Sequence, residues 1–301
     1  VSLLLACTPT GQQPSQPAAS TQPARTLNTL MQVEPGTLLS KQFQRGGIPT
    51  RHAARLFNAE LDLQDARGET HPYLAEALPQ LNTESWKVFP DGRMETTYRL
   101  KPNLTWHDGA PLSAEDFVFG WRIYTDRNLA VPNEVPESLM EEALAPDART
   151  LVFRWRRLYP DANALGRDFQ ALPRHILEPV RAQSTPDAFL NHQFWTSEYV
   201  GLGPCRLQQW EPGAFLEGVA FAGHALGRPK IERIVVRYIG DVNTALANLV
   251  SGSVDLATDR ALQFEQGYLL KQDWVASKQG VVISTPIQTR FTHVQLRPDL
   301  V

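Results

Sequence analysis

Between Ile234 and Ala257 the chain runs strand, capped helix, strand, and this order constrains its fold more than any other feature. Ile234-Val235-Val236-Arg237-Tyr238 is a β-branched run of strand length. Asp241 can cap a helix carrying Leu246 and Leu249, and Ser251-Gly252-Ser253 ends it before the short strand Val254-Asp255-Leu256-Ala257. The same interleaving occurs upstream. Leu27 to Val33 alternates as a first strand and is closed by Glu34-Pro35-Gly36. A helix is expected from about Pro49 through Ala54, Leu56 and Phe57. Ser85 to Phe89, the turn Pro90-Asp91-Gly92 and Met94 to Leu100 read as a hairpin, because Asp-Gly between alternating runs favours a tight reversal. Ser113 followed by Asp116 is a variant of the capping box. Ala114, Phe117, Val118, Trp121 and Tyr124 then share one helical face, which is expected to pack on a sheet, and Thr150 to Trp155 is a further strand. Strands interleaved with helices, with no internal repeat, specify an α/β domain.

The 301 residues suffice for two domains, or for one large domain with an insertion. A net charge of -3 and a pI near 6.2 argue against a polyanion binder, so no nucleic-acid partner is expected. The run Arg154-Trp155-Arg156-Arg157 reads as a solvated strand end among dispersed acidic residues. No internal stretch approaches the roughly 20 apolar residues that span a bilayer. The two cysteines, Cys7 and Cys205, do not make a disulfide scaffold.

At the start, Leu4-Leu5-Ala6-Cys7 resembles the bacterial lipobox, in which a small residue precedes a cysteine that accepts a diacylglyceryl group. Residues 1–7 are therefore expected to be the end of a truncated signal peptide, with Cys7 lipidated. Thr8-Pro9-Thr10-Gly11-Gln12-Gln13-Pro14-Ser15 continues without charge through Ala24, and residues 8–26 read as a flexible tether. The expected location is extracytoplasmic, on a membrane held through the lipid anchor.

An enzyme would have to start from Trp106-His107-Asp108-Gly109 with Glu115 and Asp116. Asp108-Gly109 instead suits a turn, and Asp116 complements a helix N-terminus. No His-Glu-x-x-His, clustered cysteines, nucleophile elbow or phosphate loop accompanies them. The chain is expected to be no enzyme, with no catalytic residue, metal or cofactor.

Two segments carry a resemblance to a known family. One runs from Trp86 to Trp121, through Lys101-Pro102-Asn103-Leu104-Thr105-Trp106-His107-Asp108-Gly109-Ala110-Pro111-Leu112-Ser113-Ala114-Glu115-Asp116-Phe117-Val118-Phe119. The other is Tyr199-Val200-Gly201-Leu202-Gly203-Pro204-Cys205-Arg206-Leu207-Gln208-Gln209-Trp210-Glu211-Pro212-Gly213. It is followed by Gly227 to Ile234 and by Asn243 through Asp255, and Leu172-Pro173-Arg174-His175-Ile176-Leu177 lies between the two segments. Together they resemble the bacterial extracellular solute-binding proteins of family 5, which include oligopeptide-, dipeptide- and nickel-binding members. Cys205 departs from the usual Tyr, and Phe221-Ala222-Gly223-His224-Ala225 replaces an Asn-Pro-aromatic stretch.

The resemblance implies a two-lobed type II periplasmic-binding-protein-like fold that shuts on its ligand. Residues 27–260 would form lobe one with an inserted subdomain. Residues 261–301 would begin a second lobe that is largely missing. The implied function is to bind an oligopeptide and deliver it, as a monomer, to the permease subunits of an ABC importer. A metal chelate, opine or sugar is the alternative ligand, and a transporter-independent sensor or scaffold the alternative role. In lobe one the resemblance points to Glu34 and Pro35, to Phe169 and Gln170, and to Tyr199, Gly201 and Gly203 as lining the cleft. Core packing competes with contact for Phe169 and Tyr199, and a tight backbone path competes for the glycines.

Overall fold

The computed structural model describes residues 25–41, 43, 51–129, 131–132, 134–166, 168–258 and 261–283. In chain order it holds β1 (Thr26–Met31), α1 (Arg51–Phe57), β2 (Asp62–Gln64), β3 (Thr70–Pro72), β4 (Trp86–Val88), β5 (Met94–Arg99) and α2 (Ala114–Tyr124). Then come β6 (Met140–Asp147), β7 (Thr150–Trp155), α3 (Arg174–Gln183), α4 (Pro186–Leu190), β8 (Cys205–Glu211) and β9 (Phe215–Ala220). The last elements are β10 (Arg233–Tyr238), α5 (Val242–Val250), β11 (Leu256–Ala257) and α6 (Phe264–Ser277).

Two larger sheets organise these elements. One has the order β11-β1-β10-β9-β8, with β1 parallel to both β10 and β11 and with β8, β9 and β10 antiparallel. The other is antiparallel, β4-β5-β7-β6, and β2 pairs with β3 in a separate ribbon. The strand–helix–strand unit read from the sequence is β10-α5-β11, which carries the chain across β1 to its far side. Asp241 caps α5 by accepting from the Thr244 amide at 2.8 Å. Successive residues of β1 point to opposite faces, so Met31 enters the main core while Leu30 enters a second one. Both faces of that sheet are therefore covered.

The expected hairpin is β4–β5, reversed at Gly92 with φ 84°. It joins β7 and β6 to make a floor for α2. That helix is buried more widely than the expected stripe. Phe119, Gly120 and Ile123 are buried as well, and Trp121 is only partly so, because α2 lies between the four-stranded sheet and α3. One hydrophobic core runs from Trp86 and Trp155 through Phe117 and Phe169 to Phe57 and Leu216. The second core joins Leu30, Ala245, Leu249 and Val254 to Ala261 and Leu270 of the α6 region. Leu270 of α6 thus shares a core with Leu30 of β1.

Candidate functional site

The carboxyl ends of β11, β1 and β10 lie side by side, with Leu30 opposite Ala257 and Met31 opposite Tyr238. In open α/β sheets ligands gather outside such ends, where the chain switches sides. The loop leaving β1 there carries Glu34 and Pro35. Both Glu34 oxygens are engaged: Trp210 Nε1 donates to Oε1 at 2.6 Å, and the Gly213 amide donates to Oε2 at 2.8 Å. The carboxylate therefore ties the tip of the β8–β9 hairpin to the end of β1. Pro35 beside it is buried.

Farther along the same loop, residues 37–41 are pinned from several elements. The Leu38 amide and Thr37 hydroxyl donate to the Trp195 carbonyl at 3.2 and 2.9 Å. The Ser40 amide donates to Gln170 Oε1 at 2.9 Å, and its hydroxyl donates to Glu60 Oε1 at 2.9 Å. Gln170 Nε2 donates in turn to Asn58 Oδ1 at 2.6 Å and to the Tyr199 hydroxyl at 2.9 Å; that hydroxyl also donates to Asn58 Oδ1. Gln170, Tyr199 and Asn58 are 3, 4 and 2% exposed, so this is a satisfied interior network rather than a wet surface. Burial holds the Tyr199 phenol well above its ordinary pKa and keeps it a donor.

Gly201 and Gly203 cross over the end of α1. The Phe57 carbonyl accepts from the Leu202 and Gly203 amides at 3.1 and 2.9 Å. A Cβ on Gly201 would stand 2.0 Å from that carbonyl oxygen, and one on Gly203 would stand 2.4 Å from the Asn58 amide nitrogen. Only glycine permits this approach. His107 locks the crossing from the other side. Its Nδ1 accepts from the Gly201 amide at 3.1 Å, and Nε2 lies 3.0 Å from the Gly203 carbonyl, which fixes the neutral Nε2–H tautomer. Burial lowers the pKa of His107 to about 4.

Two buried carboxyls, Glu137 and Glu60, complete the surroundings. Lys41 Nζ pairs with Glu137 at 2.6 Å, and burial raises the pKa of that carboxyl despite the pairing. Burial also raises Glu60 to about 7, against a smaller lowering by the Ser40 hydroxyl. Phe169 is 1% exposed and packs against Phe117, Tyr124 and Phe153 at centroid separations of 6.4, 5.8 and 5.2 Å. It is a core residue and offers no free face to a cleft.

Residues 76–297 match the family described as bacterial extracellular solute-binding proteins, family 5 Middle. The chain belongs to that family. A Brucella ovis protein named as an ABC transporter peptide-binding protein is 23% identical over 232 residues, covering 72% of this chain and 43% of the relative. An oligopeptide-binding protein of Bacillus subtilis is 23% identical over 212 residues, covering 66% and 38%. The chain thus spans less than half the length of these family 5 relatives. Among solved structures, the oligopeptide-binding protein of Thermus thermophilus complexed with a pentapeptide superposes with a TM-score of 0.69 at 22% identity, over 80% of this chain and 46% of that one. NikZ of Campylobacter jejuni in complex with Ni(L-His) gives 0.65 at 21%, over 84% and 46%. The fold is that of the type II periplasmic-binding proteins, in part.

In this family 5 chain the residues that suggested chemistry have structural work. Besides the role of His107, Asp108 accepts from the Ala110 amide at 3.0 Å and faces His175 Nε2 at 2.7 Å. Asp116 accepts from the Ser113 and Arg174 amides at 2.8 and 3.0 Å, which joins the N-termini of α2 and α3. Glu115 stands 3.7 Å from Arg174. Cys205 is buried, and burial pushes its thiol up to about 11, so it is unreactive. Among the described residues, Asp65, Glu69 and His71 on the β2–β3 turn bring ligand-type atoms within 4.8 Å, all on exposed side chains.

Of the residues expected to line a cleft, Gln170, Tyr199, Gly201 and Gly203 come together around Asn58. Glu34 and Pro35 lie on the loop that this cluster holds. Cys7 and the tether through residue 24 lie outside the described residues. Asn58, Ser40 and Glu60 carried no signal in the sequence. Trp210 and Gly213 stood inside a family segment, but nothing there linked them to Glu34.

Proposed function

We propose that this chain is lobe one, with its inserted subdomain, of an extracytoplasmic solute-binding protein that captures small solutes, oligopeptides first, and hands them to the permease subunits of an ABC importer. The reading rests above all on the family match over residues 76–297, whose relatives bear the names of peptide-binding proteins. It extends to a monomer held at the membrane through a lipid on Cys7 and the tether that follows.

The geometry supports capture without chemistry. Both Glu34 oxygens are occupied by the hairpin, and the side chains of Gln170 and Tyr199 are satisfied internally. Shape and main-chain groups along the loops outside the strand ends are then left to meet an extended peptide. A solute acts by differential affinity for open and closed arrangements, and the transporter reads the closed one. A metal chelate, opine or sugar is the second reading, favoured by the likeness to a protein solved with Ni(L-His). Mass spectrometry of material co-purifying with the native protein tests the choice. A mixture of short peptides is expected; one sugar, opine or metal chelate in its place would reject the peptide reading.

A further inference from the structure

We propose that Asn58, which the sequence did not single out, is the positioning residue that sets the three cleft segments of this chain against one another. The inference rests on the solute-binding reading above, because it concerns the segments that reading assigns to the cleft.

Asn58 is the residue just beyond α1, and it is 2% exposed. Its Nδ2 donates to the Leu38 carbonyl at 2.6 Å, which holds the loop that follows Glu34 and Pro35. The same nitrogen donates to the Ala54 carbonyl at 2.8 Å and so fixes the amide to the last turn of α1. Its Oδ1 accepts from Gln170 Nε2 at 2.6 Å, which holds the segment before Leu172. That oxygen also accepts from the Tyr199 hydroxyl, at the start of the Gly201–Gly203 crossing. The main chain beside it adds a further contact. Gly203 lies close enough that a Cβ there would meet the Asn58 nitrogen at 2.4 Å, and the Phe57 carbonyl accepts from the Leu202 and Gly203 amides.

All four polar positions of the Asn58 amide are used, two as donor and two as acceptor. No other common side chain of this size supplies two donors and two acceptor lone pairs at once. Asp would lose both donors and bury a charge, and Leu would take one hydrogen bond from each of four partners. The partners are remote in sequence: Gln170 is 112 residues away and Tyr199 is 141 away. The amide is therefore a tertiary joint at which all three segments meet, beside the Ser40–Gln170 and Phe57–Gly203 bonds that tie them in pairs. Pre-organised segments lose less freedom when a ligand is captured.

Hydrogen exchange on the 301-residue chain, read by mass spectrometry without any ligand, tests the joint. The amides of Leu38 and Ser40 lie on the tied loop and donate to the Trp195 carbonyl and to Gln170, and those of Leu202 and Gly203 donate to the Phe57 carbonyl beside Asn58. Asn58→Ala should speed their exchange roughly tenfold or more, the effect of losing a buried hydrogen bond, with β5 and β7 unchanged. Tyr199→Phe removes one hydroxyl, whose hydrogen bonds go to Gln170 and Asn58 and not to the 37–40 loop. It should nonetheless speed exchange at Leu38 and Ser40, because the coupling passes through Asn58 and Gln170. Unchanged exchange of the 37–40 loop in Tyr199→Phe, or an Asn58→Ala effect confined to residues 54–58, overturns the proposal. If Asn58→Ala does not fold, Tyr199→Phe decides alone. Failure of the native protein to capture any peptide would remove the functional reading and leave this result standing, so the two failures are distinguishable.

Discussion

Replacing Glu60 by Gln should stabilise the chain at alkaline pH and leave it nearly unchanged in acid. Glu60 is 6% exposed, and one oxygen accepts from the Ser40 hydroxyl. Burial raises its pKa from 4.5 to about 7; Ser40 and Arg55 oppose the shift, and the charge of Asp62 adds to it. A carboxyl with a raised folded-state pKa binds its proton more tightly folded than unfolded. Its favourable contribution is complete below the unfolded value and is lost as pH rises through the folded value. The shift corresponds to about 3 kcal/mol of charge burial above the folded pKa, and about 2 kcal/mol of it develops between roughly pH 5 and pH 8. Gln has the same shape, stays neutral, and can still accept from Ser40. Urea unfolding of both proteins across that range measures the difference. The expected outcome is a variant more stable by about 3 kcal/mol near pH 8, with the gain shrinking toward acid. A gain that does not vary with pH, or a loss at every pH, would mean that burial does not hold a proton on Glu60.

Gly203→Ala should cost on the order of 3 kcal/mol, because its Cβ meets main chain of Phe57 and Asn58 at 2.4 Å and neither can move aside; a thermal melt should fall by about 5–10 °C. Gly36→Ala has nothing within 4 Å and should stay within about 0.5 kcal/mol of the parent. Lys41→Met strands Glu137, which is 1% exposed, and should destabilise by about 3 kcal/mol at neutral pH; adding Glu137→Gln should restore part of the loss, as read by denaturant unfolding. His107 has a folded pKa lowered to about 4, so its contribution is complete above the unfolded value near 6.5 and is lost as pH falls toward 4. Glu60, and Asp62 with its pKa raised to about 6 by burial, run the other way over an overlapping window, so the parent profile should be shallow there. His107→Gln should be less stable than the parent near pH 7, and unfolding curves should show that deficit narrowing toward about pH 4.5.

The elements whose signals are local were legible in the sequence. Asp91-Gly92 between alternating runs gave the β4–β5 hairpin, and Asp241 before an apolar face gave α5 between β10 and β11. The buried circumference of α2 was not legible, because residues of one helix do not reveal that two neighbours enclose it. Residue-level roles in the site were hidden for the same reason. Glu34 reads as a cleft-lining acid until Trp210, 176 residues away, is seen to donate to it. Asn58 reads as a helix-end residue until Gln170 and Tyr199 are found on its amide. Gly201 and Gly203 were legible as tight positions, but what they clear, the Phe57 carbonyl and the Asn58 nitrogen, was not. Phe169 stood next to Gln170 in sequence, yet consecutive residues face opposite ways: one enters the aromatic core and the other the polar joint.

We propose that the full protein closes around a solute and releases it unaltered. Native protein, freed of bound material and titrated with a defined pentapeptide library, would test it by calorimetry and small-angle scattering together. Saturable uptake with a smaller radius of gyration, and full recovery of intact peptides afterwards, is the predicted result. No heat and no compaction with peptides, or recovery of cleaved products, would contradict it.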